Sequence, residues 1–148
     1  MDLVLPDDFK EFLRLLTLHQ VEYMMIGGYA VSFHGYPRAT MDLDIWVGMT
    51  PENADRLQQV LIDFGFAVPA LNKNLFLVKD KIIRMGTPPL RIEILTTIAG
   101  VFFEDCFPNR IQGVVDGVPT NLISLQDLKT NKKASGRHKD LSDLENLP

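Results

Sequence analysis

The sequence has a single cysteine, Cys106, among its 148 residues. One thiol excludes an internal disulfide framework and is typical of proteins in a reducing compartment such as the cytoplasm. We expect Cys106 to be a small buried thiol; the alternative is a nucleophile. The cysteine and the three scattered histidines do not have the spacing of a zinc site.

Long apolar runs and a cationic N-terminal segment are also missing. No run approaches the ~20 apolar residues that a membrane helix needs, and residues 1–8 lack the positive region of a signal peptide. With 46% hydrophobic and 23% charged residues, the composition is ordinary for a soluble globular protein. The sequence therefore predicts one domain, residues 1–148, located in the cytoplasm and without a membrane partner.

Helix and strand signals are distributed along the whole chain. Asp7 or Asp8 can cap a first helix, Thr50 and Pro51 mark the start of another, and Gly65 its end. Further predicted elements are a hairpin of strands 75–78 and 82–85, a strand at 90–95, a hairpin at 111–118 turning at Asp116-Gly117, a helix capped by Ser124, and a short helix at 140–145, with loops at 72–74 and 87–89.

Two aspartates stand one residue apart inside an apolar run. Asp42 and Asp44 alternate with Leu43, Ile45 and Val47. A strand would therefore present both carboxylates on one face and the aliphatic side chains on the other. Two like charges this close cost stability unless a cation neutralises them, and their hard oxygen atoms suit Mg²⁺. The alternative is an edge strand with two solvated aspartates.

Two glycines lie just upstream of this run. Gly27 and Gly28 follow a short predicted strand, residues 21–26, and precede a short predicted helix, residues 29–34. Glycines at such a junction let backbone N–H groups approach a phosphate, although an ordinary tight turn would use them as well. His34, at the end of this helix, is either a plain helix-end residue or a catalytic one.

A third acid and a basic segment complete the candidate residues. Glu93 alternates with Ile92 and Ile94, so it leaves its strand opposite an aliphatic face; it is either a metal ligand or a partner of Arg91 or another surface group. Residues 129–139 hold five Lys or Arg and no acid. This concentration indicates one local anionic partner, whereas a basic helix end is the alternative.

Taken together, these motifs resemble a known family. Ile26-Gly27-Gly28, followed by Arg38-x-Thr40-x-Asp42-x-Asp44, is similar to the signature of the nucleotidyltransferase superfamily with the DNA polymerase beta type of fold. The branch that it resembles is that of small bacterial nucleotidyltransferase-like proteins related to abortive-infection and toxin–antitoxin systems. The resemblance implies an α+β fold with a mixed β-sheet, helices mainly on one face and C-terminal helices.

The resemblance also implies roles for individual residues. Asp42, Asp44 and Glu93 would be catalytic and would bind two Mg²⁺ or Mn²⁺ ions, although many relatives carry Asp in place of Glu93. Nucleotide or phosphate binding would fall to Gly27, Gly28, Arg38, Thr40, Lys132, Arg137, Lys139 and Asp140.

The implied substrates are an NTP and a hydroxyl acceptor, which is a tRNA, a protein or a small molecule. The implied reaction moves an NMP to the acceptor and releases pyrophosphate, and a cognate antitoxin is the implied partner protein. With one predicted domain in 148 residues, we expect the chain to lack the separate helical domain of larger polymerising relatives. The alternative is a catalytically silent nucleotide-binding or protein-interaction module of a toxin–antitoxin or phage-defence system.

Overall fold

The structure is a computed structural model that describes residues 3–66, 72–86 and 89–148. Its helices are α1 (Asp7–Leu18), α2 (Gly27–Phe33), α3 (Pro51–Phe64), α4 (Phe103–Cys106), α5 (Leu125–Ser135) and α6 (His138–Asn146). Its strands are β1 (Tyr23–Ile26), β2 (Asp42–Val47), β3 (Ile82–Met85), β4 (Arg91–Leu95), β5 (Ile111–Val115) and β6 (Val118–Leu122). Short 3₁₀ helices cover Lys73–Leu77 and Phe107–Asn109.

The six strands in the described part of the chain form one sheet in the order β3-β4-β2-β1-β6-β5. The pairs β2–β4 and β1–β6 are parallel, and the other neighbouring pairs are antiparallel. Strand β2 therefore lies inside the sheet, between β4 and β1. The predicted α+β fold with a mixed sheet is confirmed, and the interior position of β2 excludes the alternative of an edge strand.

The two faces of the sheet bury different sets of side chains. On one face, Leu43, Ile45 and Val47 of β2 join a core to which the two longest helices, α1 and α3, also contribute. On the other face, Trp46 packs in a second core with residues of α2, α4 and α5. Asp42 and Asp44 share this second face with Trp46, because side chains alternate along a strand.

Helix ends follow the local sequence signals in most places. Thr50 accepts a hydrogen bond from the Asn53 N–H at the start of α3, and Gly65 ends that helix in the left-handed conformation. Ser124 caps α5 in the same way. The predicted acidic cap of α1 is wrong, because Pro6 occupies that position and both Asp7 and Asp8 lie in the first helical turn.

No described helix has the length and apolar character needed to span a membrane.

The predicted hairpin of residues 75–78 and 82–85 is also wrong. Residues 73–77, including most of the predicted first strand, form a 3₁₀ helix that begins where the Asn72 side chain accepts a hydrogen bond from the Asn74 N–H. Phe76 from this turn is buried in the core. Strand β3 pairs instead with β4, so the observed hairpin consists of residues 82–85 and 91–95 and lies one element further along the chain than predicted. The predicted loop at 87–89 lies partly outside the described residues, since residues 87 and 88 are not among them.

Candidate active site

The three acids predicted from the sequence meet on one face of the sheet. Parallel pairing of β2 with β4 sets Asp44 opposite Glu93, and Asp42 opposite Arg91. The carboxyl groups of Asp44 and Glu93 are close enough to share a hydrogen bond. Residues 49 positions apart in the sequence therefore become direct neighbours through the strand register.

Asp44 is the most perturbed member of this group. Its burial, the negative charges of Glu93 and then Asp42, and the hydrogen bond with Glu93 raise the pKa of Asp44 to about 7. The positive charge of Lys139 acts in the opposite direction but does not compensate. Burial is the largest of these causes and the two neighbouring acids add to it, so a cation bound at the site would favour the ionised form of Asp44.

Two arginines pair with the outer acids. Arg84 of β3 places its Nε 3.1 Å from Glu93 Oε1, and Arg91 places its Nε 3.6 Å from Asp42 Oδ1. The ion pair of Glu93 that the sequence left open is therefore formed, with Arg84 rather than with Arg91. The sequence signal for Arg84 was its position in β3 between the buried residues Ile83 and Met85, which directs it to the face of Glu93.

The donor set of this site is suitable for Mg²⁺, but it is not arranged as a preformed metal cage. In residues 3–66, 72–86 and 89–148, no group of three or more His, Cys, Asp and Glu side chains is positioned to hold an ion. Glu93 and Asp42 are turned toward arginines instead. Mg²⁺ commonly takes only one or two protein carboxylates and completes its shell with water and substrate phosphate. Asp44 has two further acids beside it and the donor atoms are all oxygens, which fits such an ion.

The two glycines leave space beside the acids that a side chain would fill. Gly27 has a φ of 71°, and a Cβ atom built on it would lie 2.1 Å from Asp44 Oδ2. A Cβ atom on Gly28 would lie 2.6 Å from Thr40 Oγ1 and 3.2 Å from an Nη atom of Arg38. The glycine pair is therefore required by close approach to predicted site residues, beyond the needs of a turn.

Replacing Gly27 tests this cradle. We expect Gly27→Ala to destabilise the protein more than Gly65→Ala, because both positions have a positive φ but only Gly27 has a neighbour within 4 Å. The left-handed conformation alone costs about 1–2 kcal/mol for a residue with a Cβ atom. Chemical denaturation of the two variants measures the difference. Equal losses of unfolding free energy would contradict the close approach of Gly27 to Asp44.

The basic C-terminal segment contributes a buried ion-pair network. Lys132 is only 5% exposed, and its Nζ lies 3.1 Å from Asp140 Oδ1 and 3.0 Å from Asp143 Oδ2. Arg137 donates to Asp140, as does the hydroxyl of Ser135. Burial opposes ionisation of Asp140, but the hydrogen bonds from Arg137, Ser135 and Lys132 outweigh it and hold the pKa of Asp140 below its ordinary value.

Arg38 connects this network to the strand of the aspartates. Its Nε and Nη2 donate to the two oxygens of Asp143 at 2.7 and 2.9 Å, a bidentate pair. Asp143 is 1% exposed, so its charge is compensated inside the fold by Arg38 and Lys132. Asp143 was not among the predicted site residues. Its position three residues after Asp140, on the same face of α6, was the available signal.

Two cations of the segment reach toward the acids. The positive charge of Lys139 lowers the pKa of Asp44. The hydrogen bond with Asp140 is the main cause that raises the pKa of Arg137, and the negative charge of Asp44 contributes to the same shift. Lys139 forms no ion pair with any residue in the described part of the chain. Thr40, the remaining predicted residue, directs its hydroxyl to the Asp42 carbonyl at 3.4 Å. The structure therefore assembles the acids, the glycines and this basic corner on one side of the molecule.

Other candidate residues lie away from this chemistry. Cys106 is buried in the second core, and burial, followed by the charge of Asp127, raises its thiol pKa to about 12, as expected for a structural thiol. The ring Nε2 of His34 lies 2.7 Å from the Ile123 carbonyl, to which it can donate. A cavity of about 1010 Å³ is bounded by Trp46, Thr96 and Phe103 at the other end of β2 and β4, and none of the three acids lines it.

The raised pKa of Asp44 predicts a pH dependence of stability without added metal. Between about pH 4 and pH 7 the folded protein keeps the Asp44 proton that the unfolded chain has released, so unfolding free energy falls as pH rises through this window. The pKa of Asp140 is lowered, so this residue changes the unfolding free energy only at pH values below this window. We expect the melting temperature of Asp44→Asn, relative to wild type, to rise between pH 5 and pH 8. A constant difference would contradict the raised pKa.

Comparison with solved structures identifies the fold. The chain is similar to a provisionally assigned nucleotidyltransferase from Thermotoga maritima, with a TM-score of 0.58 and 14% identity over 93% of this chain and 88% of that one. It is also similar to an antigenic nucleotidyltransferase-like protein from Paracoccidioides brasiliensis, with a TM-score of 0.54 and 16% identity over 93% and 70% of the respective chains. No family model and no curated protein matches the sequence. The fold is thus that of the nucleotidyltransferases, as the motifs predicted.

Proposed function

We propose that this protein is a Mg²⁺-dependent nucleotidyltransferase that moves an NMP from an NTP to a hydroxyl acceptor and releases pyrophosphate. The observation that carries the proposal is the meeting of Asp44 with Glu93 and Asp42 beside the Gly27 cradle. The fold similarity to a provisionally assigned nucleotidyltransferase and to a nucleotidyltransferase-like protein supports it.

The order of strands gives the site two sides. Asp44 lies on β2, in the middle; the glycine turn that follows β1 is on one side, and Glu93 on β4 is on the other. The glycine side also carries Arg38, and Lys139 is within electrostatic reach of Asp44. We assign the NTP to this side, because backbone N–H groups and cations bind phosphate oxygens.

The acceptor hydroxyl then occupies the side of Glu93. Its oxygen forms a bond to the α-phosphorus of the NTP as the bond from that phosphorus to the pyrophosphate oxygen breaks, and Glu93 orients the hydroxyl and accepts its proton. Arg38 and Lys139 stabilise the negative charge that pyrophosphate takes away. In such a reaction the protein contributes mainly positioning and electrostatic stabilisation.

Asp42, Asp44 and Glu93 are the residues that would hold two Mg²⁺ or Mn²⁺ ions. When bound, such ions polarise phosphate oxygens and lower the pKa of an attacking hydroxyl. For Glu93 and Asp42 to act as ligands, they must exchange their contacts with Arg84 and Arg91. Lys132 forms ion pairs with Asp140 and Asp143. The predicted phosphate-binding roles of Lys132, Arg137 and Asp140 stay predictions.

Transfer of label tests the proposal. The protein is incubated with each α-³²P-labelled NTP and Mg²⁺, together with a tRNA pool, a protein pool or a set of hydroxylated small molecules. We expect label to enter one acceptor class with equimolar release of pyrophosphate, and chelation by EDTA to stop both. Release of inorganic phosphate without labelled acceptor would refute transfer in favour of hydrolysis.

The second candidate is a nucleotide-binding module without turnover. The observation that favours it is the pairing of two of the three carboxylates with arginines. Thermal shift with each NTP, with and without Mg²⁺, separates the candidates when read beside the labelling experiment. Stabilisation by an NTP without any labelled acceptor is expected only from the silent module.

A wider biological context is part of the same proposal. We infer from the motif resemblance a place among abortive-infection or toxin–antitoxin proteins, with a cognate antitoxin as partner and the cytoplasm, where NTP and Mg²⁺ are available, as location. Expression of the wild-type chain and of Asp44→Asn in bacteria tests the toxin role. We expect growth arrest when the wild-type chain is expressed and normal growth when Asp44→Asn is expressed.

A further inference from the structure

The cavity of about 1010 Å³ at the end of β2 and β4 is not used by the proposed reaction. Its wall is formed by the end of β2, the segment that follows β4, and helix α4 with its flanking residues. Pockets that bind small molecules usually have volumes of about 300–1,000 Å³. The cavity is therefore large enough for an organic ligand of its own.

A stack of aromatic rings fixes one wall of this cavity. The Phe103 ring meets Trp46 edge to face, with 5.3 Å between the ring centroids, and stacks on Phe107 at 5.2 Å. The guanidinium carbon of Arg110 lies 3.9 Å from the centroid of the Phe107 ring. A Cβ atom on Gly48 would lie 2.9 Å from the Phe103 ring, so the ring rests directly on the strand end. The apolar wall is thus formed before any ligand binds.

Polar groups deep in the cavity already have partners within the protein. The indole N–H of Trp46 donates to the Thr96 carbonyl at 3.3 Å, and the Thr96 hydroxyl donates to the Val78 carbonyl at 2.7 Å. Phe102, which also lines the cavity, is 69% exposed and adds apolar surface. A polar group of a ligand would lose its hydration here without gaining a hydrogen bond, so this part of the cavity favours an apolar body.

The exposed charged residues of the cavity are mostly acidic. Glu22, Asp80 and Glu104 are exposed carboxylates that line it, against one exposed cation, Lys79. Asp80 is held in place by the Thr97 hydroxyl, which donates to it at 2.6 Å. Within residues 3–66, 72–86 and 89–148, neither Glu22 nor Glu104 forms an ion pair. The edge of the cavity therefore attracts a positive group and repels a negative one.

We propose that this cavity binds a small amphipathic organic cation. Its aromatic or aliphatic body packs on the Phe103 wall, and its ammonium or guanidinium group is held by the carboxylates at the edge. The inference goes beyond the proposed function, because none of the three acids lines the cavity. The two can therefore fail separately.

Two probes with one apolar body and opposite charges test the proposal. They are biphenyl-4-ylmethylammonium and biphenyl-4-ylacetate, titrated into the protein in Mg²⁺ buffer while the emission of Trp46, the single tryptophan of the chain, is recorded. Calorimetry gives the affinities. We expect a saturable change in Trp46 emission with the ammonium compound, and an affinity at least about tenfold higher than that of the acetate, since the edge attracts one and repels the other.

Variants locate the bound cation. We expect Glu22→Gln and Glu104→Gln each to weaken binding of the ammonium compound about threefold, the size of one exposed charge pair, and the double variant about tenfold. Glu11→Gln, an exposed glutamate of α1 that does not line the cavity, is the matched control and should bind like wild type. Asp44→Asn should also bind like wild type.

Three results would overturn the inference. The first is the absence of a saturable change in Trp46 emission, and the second is equal affinity for the two probes. The third is binding that is lost in Asp44→Asn but kept in the double variant, because the cation would then occupy the site of the three acids. None of these results would alter the transfer of label from an NTP, which tests the proposed function alone.

Discussion

Asp44→Asn is expected to abolish nucleotidyl transfer while the fold stays intact. In the proposed reaction Asp44 is the acid between the nucleotide side and the acceptor side; its carboxyl group hydrogen-bonds with Glu93 and is affected by the charge of Asp42. We expect a loss of at least about 10²–10³-fold in the rate, the range found when one preorganised electrostatic contact is removed. The measurement is incorporation of α-³²P-NMP into acceptor.

The fold itself should become more stable at neutral pH in this variant. Asparagine has nearly the same shape and removes one of three repelling charges, so the melting temperature at pH 8 should rise in the absence of metal. Addition of Mg²⁺ should stabilise wild type more than Asp44→Asn. Asp55→Asn, an exposed carboxylate on α3, is the matched control and should leave transfer unchanged. Full activity of Asp44→Asn would refute the assignment of the site.

Lys132→Met is expected to cause the largest loss of stability. The Lys132 side chain is 6% exposed and lies between two buried carboxylates, so its removal leaves Asp140 and Asp143 with less counter-charge. Breaking a buried ion pair by removing one partner costs about 3–5 kcal/mol. For a protein of this size that corresponds to a drop of roughly 6–20 °C in melting temperature. Thermal and urea denaturation measure it.

A neighbouring lysine provides the control. Lys133→Met changes the same residue type in the same helix, but Lys133 is exposed and has no ion pair among the described residues. Surface substitutions of this kind usually change stability by less than about 0.5 kcal/mol. If Lys132→Met is as stable as Lys133→Met and loses only affinity for NTP, the primary role of Lys132 is phosphate binding and not the ion-pair network.

Local patterns were sufficient to predict the strands that carry the acids. Alternation around Asp42 and Asp44 gave the buried and the polar face of β2 correctly, and Thr50 and Gly65 marked both ends of α3. The strand predicted at 75–78 is wrong, because a run of four apolar residues has no clear period and is compatible with a strand or a helical turn. The nearby Asn72 cap was the signal for a turn.

Contacts between distant segments were beyond the reach of local patterns. The neighbourhood of Asp44 and Glu93 depends on the register of a parallel strand pair, which no local signal specifies, and was expected only through the family resemblance. The pairing of Arg38 with Asp143 spans 105 residues. The sequence pointed to a basic, phosphate-binding corner, and it could not indicate that Lys132 is enclosed by two carboxylates.

The long-range pairing of Arg38 with Asp143 has a consequence for biosynthesis. A ribosome makes the acids of β2 and the glycine turn early, but the carboxylate that orients Arg38 follows 105 residues later, on helix α6. A nascent chain consequently contains Asp42 and Asp44 long before Arg38 is fixed beside Gly28. Chains that end before Asp143 would lack the carboxylate that orients Arg38, so this cation can be fixed beside Gly28 only after α6 has been made.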